Sequence, residues 1–430
     1  MKKVLTFLMV MVLLITSLIS VFAEDEAVAI LAEEADVAMG DKSMKVQVNA
    51  KAAVLMEAST KRVLMASNEN EKLFPASVTK IMTMLLVCEA IDGGKISLKD
   101  NVTASENAAS KGGSQIWLKV GEVMTVHELL KATAVYSAND ACTLLGEYVA
   151  GSETAFNDMM NRRAKELGMN NTHFDNCTGL DDTTDTHLTT AYDIALMSAE
   201  LLKHELIFDY TTIWMDSLRD GATELVNTNK LVRTYKGITG LKTGTTNKAG
   251  NCVSATAKRD NLNLIAVVLG SDNTKDRFNG ARDMLDWGFA NYESIVPTVD
   301  MSQLANIKVI HGIKEEINPA VPKMQPIITL KGSSARITQK VELALDVQAP
   351  VERGQVLGKI KFYLDEQLLC EYNLCADEEV ARMRFFDALK MILRAFSADP
   401  AENNNANENN QNNSVDSGAA ESTTQKGQPF

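Results

Sequence analysis

A serine and a lysine three positions apart, in Ser77-Val78-Thr79-Lys80, stand at the start of a stretch whose apolar residues fall at Val78, Ile81, Met82, Leu85 and Leu86. That spacing is helical, and Phe74-Pro75-Ala76 marks the entry, with proline suited to a first turn. Ser77 is therefore expected in the first turn of a buried helix. Residues three apart share a face, so the Lys80 amine can approach the Ser77 hydroxyl, as a lysine one or two positions on could not. Free backbone N–H groups and the positive helix end would lie beside that hydroxyl, where a developing oxyanion is stabilised. Serine at its own pKa is a weak nucleophile, and a lysine serves as its base only where burial or a neighbouring cation favours the neutral amine.

Two further motifs follow in order, Ser137-Ala138-Asn139 and Lys242-Thr243-Gly244. The S-x-N pattern also occurs at Ser105-Glu106-Asn107 and Ser271-Asp272-Asn273. Ser271 directly follows the apolar run Leu264 to Gly270 and reads as the exit from a buried strand, while Ser105 sits in a polar stretch suited to capping a helix. Only Ser137 falls between two helix-like apolar runs, His127 to Tyr136 and Ala141 to Val149, on a loop able to project into a cleft. Lys242-Thr243-Gly244 follows Gly237-Ile238-Thr239-Gly240-Leu241 and precedes Val253, Ala255 and Ala257, as adjacent strands of a sheet would. A strand there offers N–H groups, a hydroxyl and an ammonium to a carboxylate, with glycine allowing close approach, and Lys242 supplies the cation near Lys80. Taken singly, each motif has an ordinary reading: a capping serine, a surface lysine, a strand-end turn.

In this order the three motifs form the set found in penicillin-recognising serine enzymes. The stretch from about Val54 to Glu293 resembles the D-alanyl-D-alanine carboxypeptidases, the low-molecular-mass penicillin-binding proteins. Local context carries the likeness further, in Phe74 to Thr83, Ser137 to Ala141, Glu166 to Phe174 and Gly240 to Gly250. The resemblance implies an α/β (α+β) catalytic domain of the penicillin-binding/β-lactamase type, with an antiparallel sheet and helices, followed by a small all-β second domain. It also implies Ser77 as nucleophile and Lys80 as its base, with Ser137 and Asn139 relaying protons and orienting the substrate amide. Lys242, Thr243, Gly244 and Thr245 would bind substrate, the first two holding its terminal carboxylate, with an oxyanion hole from the N–H groups of Ser77 and Thr245. The implied partners are a peptidoglycan stem pentapeptide ending in D-Ala-D-Ala and β-lactams as covalent inhibitors, with no cofactor and no metal. Arg277 matches a recurrent family arginine, against an equal reading as a structural ion-pair partner.

Two departures from the family pattern stand out. In Asp175-Asn176-Cys177-Thr178-Gly179-Leu180 a cysteine replaces an expected proline, and Ser59-Thr60-Lys61 lacks the glycine expected after threonine. Alternatives within this chemistry are a class A β-lactamase, which needs a carboxylate for deacylation, and a catalytically idle penicillin-binding sensor or scaffold. Glu153-Thr154-Ala155-Phe156-Asn157 imitates that carboxylate motif but lies close after Ser137, in an amphipathic helix with Phe156, Met159, Met160 and Leu167, and reads as a solvated face. A zinc peptidase is disfavoured, since the chain has 5 histidines and His127-Glu128 is followed by Lys131 where a zincin helix needs histidine.

The ends set location. Residues 1–23, from Met1-Lys2-Lys3 through an apolar run to Ala23, read as a secretory signal, and residues 24–44 as a flexible acidic lead-in. The net charge of -13 becomes about -15 without residues 1–23, which disfavours nucleic acid as a partner. The 6 cysteines show no metal spacing and are expected as mostly buried free thiols. The catalytic domain is expected over 45–293 and the β-rich domain over 299–376, where apolar runs such as Ile327-Ile328-Thr329-Leu330 alternate with turns. Over 377–398, Phe385, Phe386, Leu389, Ile392, Leu393 and Phe396 oppose Arg384, Asp387, Lys390 and Arg394, a stripe suited to a lipid interface or to packing on the β domain. Family members commonly carry such a C-terminal anchor, which implies the extracytoplasmic face of the cell membrane. Residues 399–430, rich in asparagine, are expected to be disordered.

Overall fold

The computed structural model describes residues 42–397, so the expected signal, the lead-in up to residue 41 and the asparagine-rich tail lie outside the described residues. Two compact units form. One holds the described residues up to Val299 together with Lys323–Lys340 and Lys361–Glu371, and the other holds Asp300–Pro322, Val341–Ile360 and the described residues from Tyr372 onward.

In the first unit, β1 (Ala52–Glu57), β2 (Val63–Ser67), β3 (Ile238–Thr246), β4 (Gly250–Arg259) and β5 (Leu262–Ser271) make one sheet in the order β2-β1-β5-β4-β3. Every pairing is antiparallel, and β1 meets β5 along its full length, from Ala52 opposite Leu269 to Glu57 opposite Leu264. Antiparallel sheets often wet one face, but β5 is buried at every position except Asn263. The cause is cover on both sides. Successive residues of a strand point to opposite faces, so Ile265, Val267 and Leu269 enter one core while Leu264, Ala266 and Val268 enter another. The first core is roofed by α1 (Lys80–Asp92), α2 (Asn139–Ala150), α3 (Glu153–Glu166) and α4 (Ala191–Leu201); the second is covered by α5 (Thr274–Asn291) through Phe278, Ala281, Met284, Leu285 and Phe289. α1 is apolar around most of its circumference, as a helix central to a core must be, and packs against α2 and α4. Ser105 caps the short helix Glu106–Ala109 by accepting the Ala108 N–H at 2.9 Å, and Ser271 ends β5, which leaves Ser137 as the S-x-N serine on a loop.

The second unit is built from strands around Ile307, Val309, Ile317, Val351, Leu357 and Val380. Ile307–Ile310 pairs antiparallel with Glu316–Ile317 and parallel with Asp346–Gln348. A helix, α6 (Phe385–Ser397), follows, with Phe385 77% and Phe386 72% exposed and Leu389, Ile392 and Leu393 also exposed. Among the described residues no helix is long and apolar enough to cross a membrane.

Candidate active site

Ser77 does not lie in the α-helix itself. Ala76–Thr79 is a 3-10 turn closed by the Val78 N–H on the Pro75 carbonyl at 3.2 Å, and the α-helix begins at Lys80. The difference helps the pair, because side chains three apart eclipse in a 3-10 turn, and Lys80 Nζ stands 2.9 Å from Ser77 Oγ. Lys80 is fully buried, and its other partners are Asn139 Oδ1 at 2.6 Å and the Thr178 carbonyl at 2.8 Å. Both of those are acceptors only, so each must take an N–H of the amine. In the neutral form the remaining lone pair therefore faces the Ser77 hydroxyl. Burial favours that form by drawing the Lys80 pKa down to about 8, against the opposing pull of Cys142, Cys177 and Asp140. Lys242 is also buried, and burial followed by repulsion from Lys80 pushes its pKa well below the usual lysine range. An anion bound beside Lys242 would oppose both effects and favour its ammonium form.

The S-x-N loop follows an unusual turn. The helix Val126–Lys131 widens into a π-turn over Ala132–Tyr136, Ser137 takes the left-handed conformation at φ 67°, and α2 starts at Asn139. π-turns and left-handed non-glycine residues cost free energy and concentrate at functional sites. Asn139 uses both ends of its amide, accepting from Lys80 and donating Nδ2 to the Gly112 carbonyl at 2.7 Å.

The strand carrying Lys242, Thr243, Gly244 and Thr245 runs against the Ser77 turn. A Cβ on Gly244 would stand 2.7 Å from the Pro75 carbonyl and 2.8 Å from the Ser77 nitrogen, so only glycine fits. Sequence reasoning gave this glycine to substrate access; here it admits the nucleophile turn itself. Thr243 Oγ1 donates to Thr228 Oγ1 at 2.8 Å. Arg277, from the first turn of α5, donates Nη1 to the Gly244 carbonyl at 2.9 Å, to Thr245 Oγ1 at 2.8 Å and to the Cys252 carbonyl at 3.2 Å. These partners are carbonyls and a hydroxyl, not a carboxylate, so the ion-pair reading of Arg277 gives way to that of a strand brace.

Sequence reasoning missed His187. The fully buried imidazole accepts the Asp175 N–H on Nδ1 at 3.0 Å, which leaves Nε2–H to donate to Thr79 Oγ1 at 2.9 Å. Thr79 Oγ1 in turn donates to the Ala76 carbonyl at 2.9 Å, and Ala76 holds a left-handed φ of 49° next to Ser77. Burial keeps His187 neutral by drawing its pKa down to about 4. Gly179, at φ 84°, lets the neighbouring loop touch the same carbonyl, which a Cβ would meet at 1.8 Å. That loop needs no proline, because Asn176 Oδ1 accepts the N–H groups of Thr178 at 3.1 Å and Gly179 at 2.7 Å. Lys61, in the place of the expected glycine, takes the left-handed φ of 56° that glycine would favour. Glu153 is not solvated as expected; its carboxylate is engaged by Lys111 at 2.6 Å and Asn107 at 2.8 Å. None of the six cysteines is in a disulfide, and all but Cys375 are buried.

Comparison with known proteins matches residues 38–273 to the D-alanyl-D-alanine carboxypeptidase family model and residues 292–382 to that of the penicillin-binding protein 5 C-terminal domain. The chain is 40% identical over 397 residues to D-alanyl-D-alanine carboxypeptidase DacF of Bacillus subtilis, covering 91% of this chain and 98% of the relative. It is 34% identical to DacC of Escherichia coli, over 79% of this chain and 86% of the relative. Among solved structures, penicillin binding protein 5 from Haemophilus influenzae superposes with a TM-score of 0.70 at 29% identity, over 79% of this chain and 99% of that one. Penicillin-binding protein D2 from Listeria monocytogenes in its ampicillin-bound form gives 0.53 at 29% identity, over 57% and 100%.

Proposed function

The chain belongs to the D-alanyl-D-alanine carboxypeptidase family, and from that premise we propose that Ser77, activated by Lys80, removes the terminal D-alanine from peptidoglycan stem peptides through an acyl-enzyme. The observation that carries this reading is the buried Lys80 amine, 2.9 Å from Ser77 Oγ and oriented by two fixed acceptors. Ser77 Oγ attacks the carbonyl of the D-Ala-D-Ala bond while its proton passes to Lys80 Nζ. The N–H groups of Ser77 and Thr245 receive the oxyanion. Lys242 and Thr243 bind the substrate's terminal carboxylate, whose charge offsets the crowding of Lys242 by Lys80 and restores the Lys242 ammonium. Ser137, on the S-x-N loop, carries the proton on to the leaving amine; D-alanine departs, and water then releases the acyl group from Ser77. A β-lactam imitates the dipeptide and acylates the same serine.

The chain works outside the cytoplasm, carried there by the signal expected at residues 1–23, with the catalytic region at 45–293 and the β-rich region at 299–376. The exposed apolar stripe of α6 lies in the membrane surface, its basic and acidic residues facing water. Incubation of the chain lacking residues 1–23 with a stem pentapeptide tests the reaction: D-alanine is released by the wild type and not by Ser77→Ala. Absence of release by the wild type sinks the reading. Flotation with phosphatidylglycerol vesicles, lost on truncation at residue 377, tests the anchor.

A further inference from the structure

Trp117 is 73% exposed, yet its backbone sits at φ 60°, a conformation that a bulky side chain keeps only under constraint. The constraint is visible on both sides. Asp140, fully buried in the first turn of α2, accepts the N–H of Ile116 at 3.1 Å and of Leu118 at 3.0 Å, the amides that flank Trp117. Arg219 donates Nη1 to the Ile116 carbonyl at 2.9 Å and Nε to the Glu122 carboxylate at 2.7 Å. The same loop is tied to the candidate site a few residues upstream, where the Ser114 carbonyl accepts the Asn139 N–H at 2.6 Å and the Gly112 carbonyl accepts Asn139 Nδ2. Folding alone gains nothing from holding an indole in water at the cost of a strained residue and a buried carboxylate. What the indole does is wall a groove of about 880 Å³, which Val120, Tyr136, Arg219 and Glu224 also line. Tyr136 is itself exposed and directly precedes Ser137, so the groove is continuous with the S-x-N loop.

We propose that this groove is a subsite for the peptide chain that precedes D-Ala-D-Ala in the acyl donor, with the Trp117 indole and the Tyr136 ring packing on that chain. Peptide is the occupant because the groove's lining reaches Tyr136, the neighbour of Ser137, and Ile116 and Trp117, close in the chain to the Gly112 and Ser114 carbonyls bonded by Asn139, so a donor held at the S-x-N loop has its upstream residues within reach of it. Flat aromatic surfaces with charged residues at the rim suit a backbone whose faces are apolar and whose edges are polar. The proposal rests on the peptidase reading above and names where its substrate lies.

The test compares kcat/KM for D-alanine release from a stem pentapeptide and from an N-acetylated D-Ala-D-Ala dipeptide, in the wild type, Trp117→Ala and Trp117→Phe, with Ser77→Ala as blank. Trp117→Ala is expected to lower the pentapeptide-to-dipeptide ratio about tenfold, chiefly through KM, and Trp117→Phe to keep most of it. An unchanged ratio overturns the proposal, whether both rates stay or both fall, because a loop that only shapes the site treats the two substrates alike. A ratio that shifts only when the pentapeptide carries its disaccharide also overturns it, in favour of a sugar. Failure of the peptidase reading shows instead in the wild type, as no release from either substrate.

Discussion

The two faces of the central sheet are buried to the same extent and for opposite ends. Against α5 the core is Phe278, Ala281, Met284, Leu285 and Phe289 packed on Val253, Ala255, Leu264 and Val268, with Tyr235 and Tyr292 its titratable members. Against α1, α2 and α4 the strands turn Ser254 and Thr256 inward, and the helices bury Thr79, Lys80, Asn139 and Asp140. Burying polar groups without partners costs several kcal/mol, and a buried ammonium costs more, so the second face is kept only because each group is bonded. Ser254 Oγ meets Ser198 Oγ at 2.9 Å, His187 is bonded at both nitrogens, and Lys80 has three partners. The α5 face is held by apolar packing, and the other face combines apolar packing with the reactive groups.

Substitutions on the two faces should therefore separate stability from chemistry. Lys80→Met should slow acylation of Ser77 by benzylpenicillin roughly 10²- to 10⁴-fold, the usual worth of a general base. Its melting temperature should change little, since relief of a buried ammonium opposes loss of bonds to Asn139 and Thr178. Met284→Ala should do the reverse, lowering stability by about 2–5 kcal/mol in denaturant titration while the acylation rate of the folded fraction stays within about twofold.

A third contrast comes from pH. His187 has a folded-state pKa of about 4 against an ordinary 6.5, so between those values the unfolded chain holds a proton that the folded chain does not. Stability is then complete above about pH 6.5 and declines as pH falls toward 4, by on the order of 3 kcal/mol. Melting curves over that window should flatten in His187→Gln, whose amide can still donate to Thr79. The smallest effect is expected at the N-terminus of α5, where Asn273 Oδ1 accepts the Asp276 N–H at 3.0 Å; Asn273→Ala should cost about 1 kcal/mol and leave acylation alone.

What the sequence disclosed follows range. Ser77 and Lys80 were legible because three residues of turn bring them together, and β5 because its apolar run ends at a polar Ser271-Asp272. The bracing of the site was not legible. His187 reaches Thr79 across more than a hundred residues, from a Thr-rich segment with no motif, and only its burial betrays it. Asp140 stood inside a recognised motif, yet its part in clamping Ile116 and Leu118 depends on a loop whose strain has no sequence mark. Arg277 was legible as a candidate but not as a brace, since nothing in Asp276-Arg277-Phe278 tells a carbonyl partner from a carboxylate.

The central claim is that a neutral, buried Lys80 activates Ser77, and the pH dependence of acylation tests it most directly. The second-order rate of penicilloyl adduct formation, followed by mass spectrometry and mapped to its residue, should rise as pH increases through about 8 and level off above it, with the adduct on Ser77. A rate that is flat from pH 6 to 10, or an adduct on any other residue, would contradict the account.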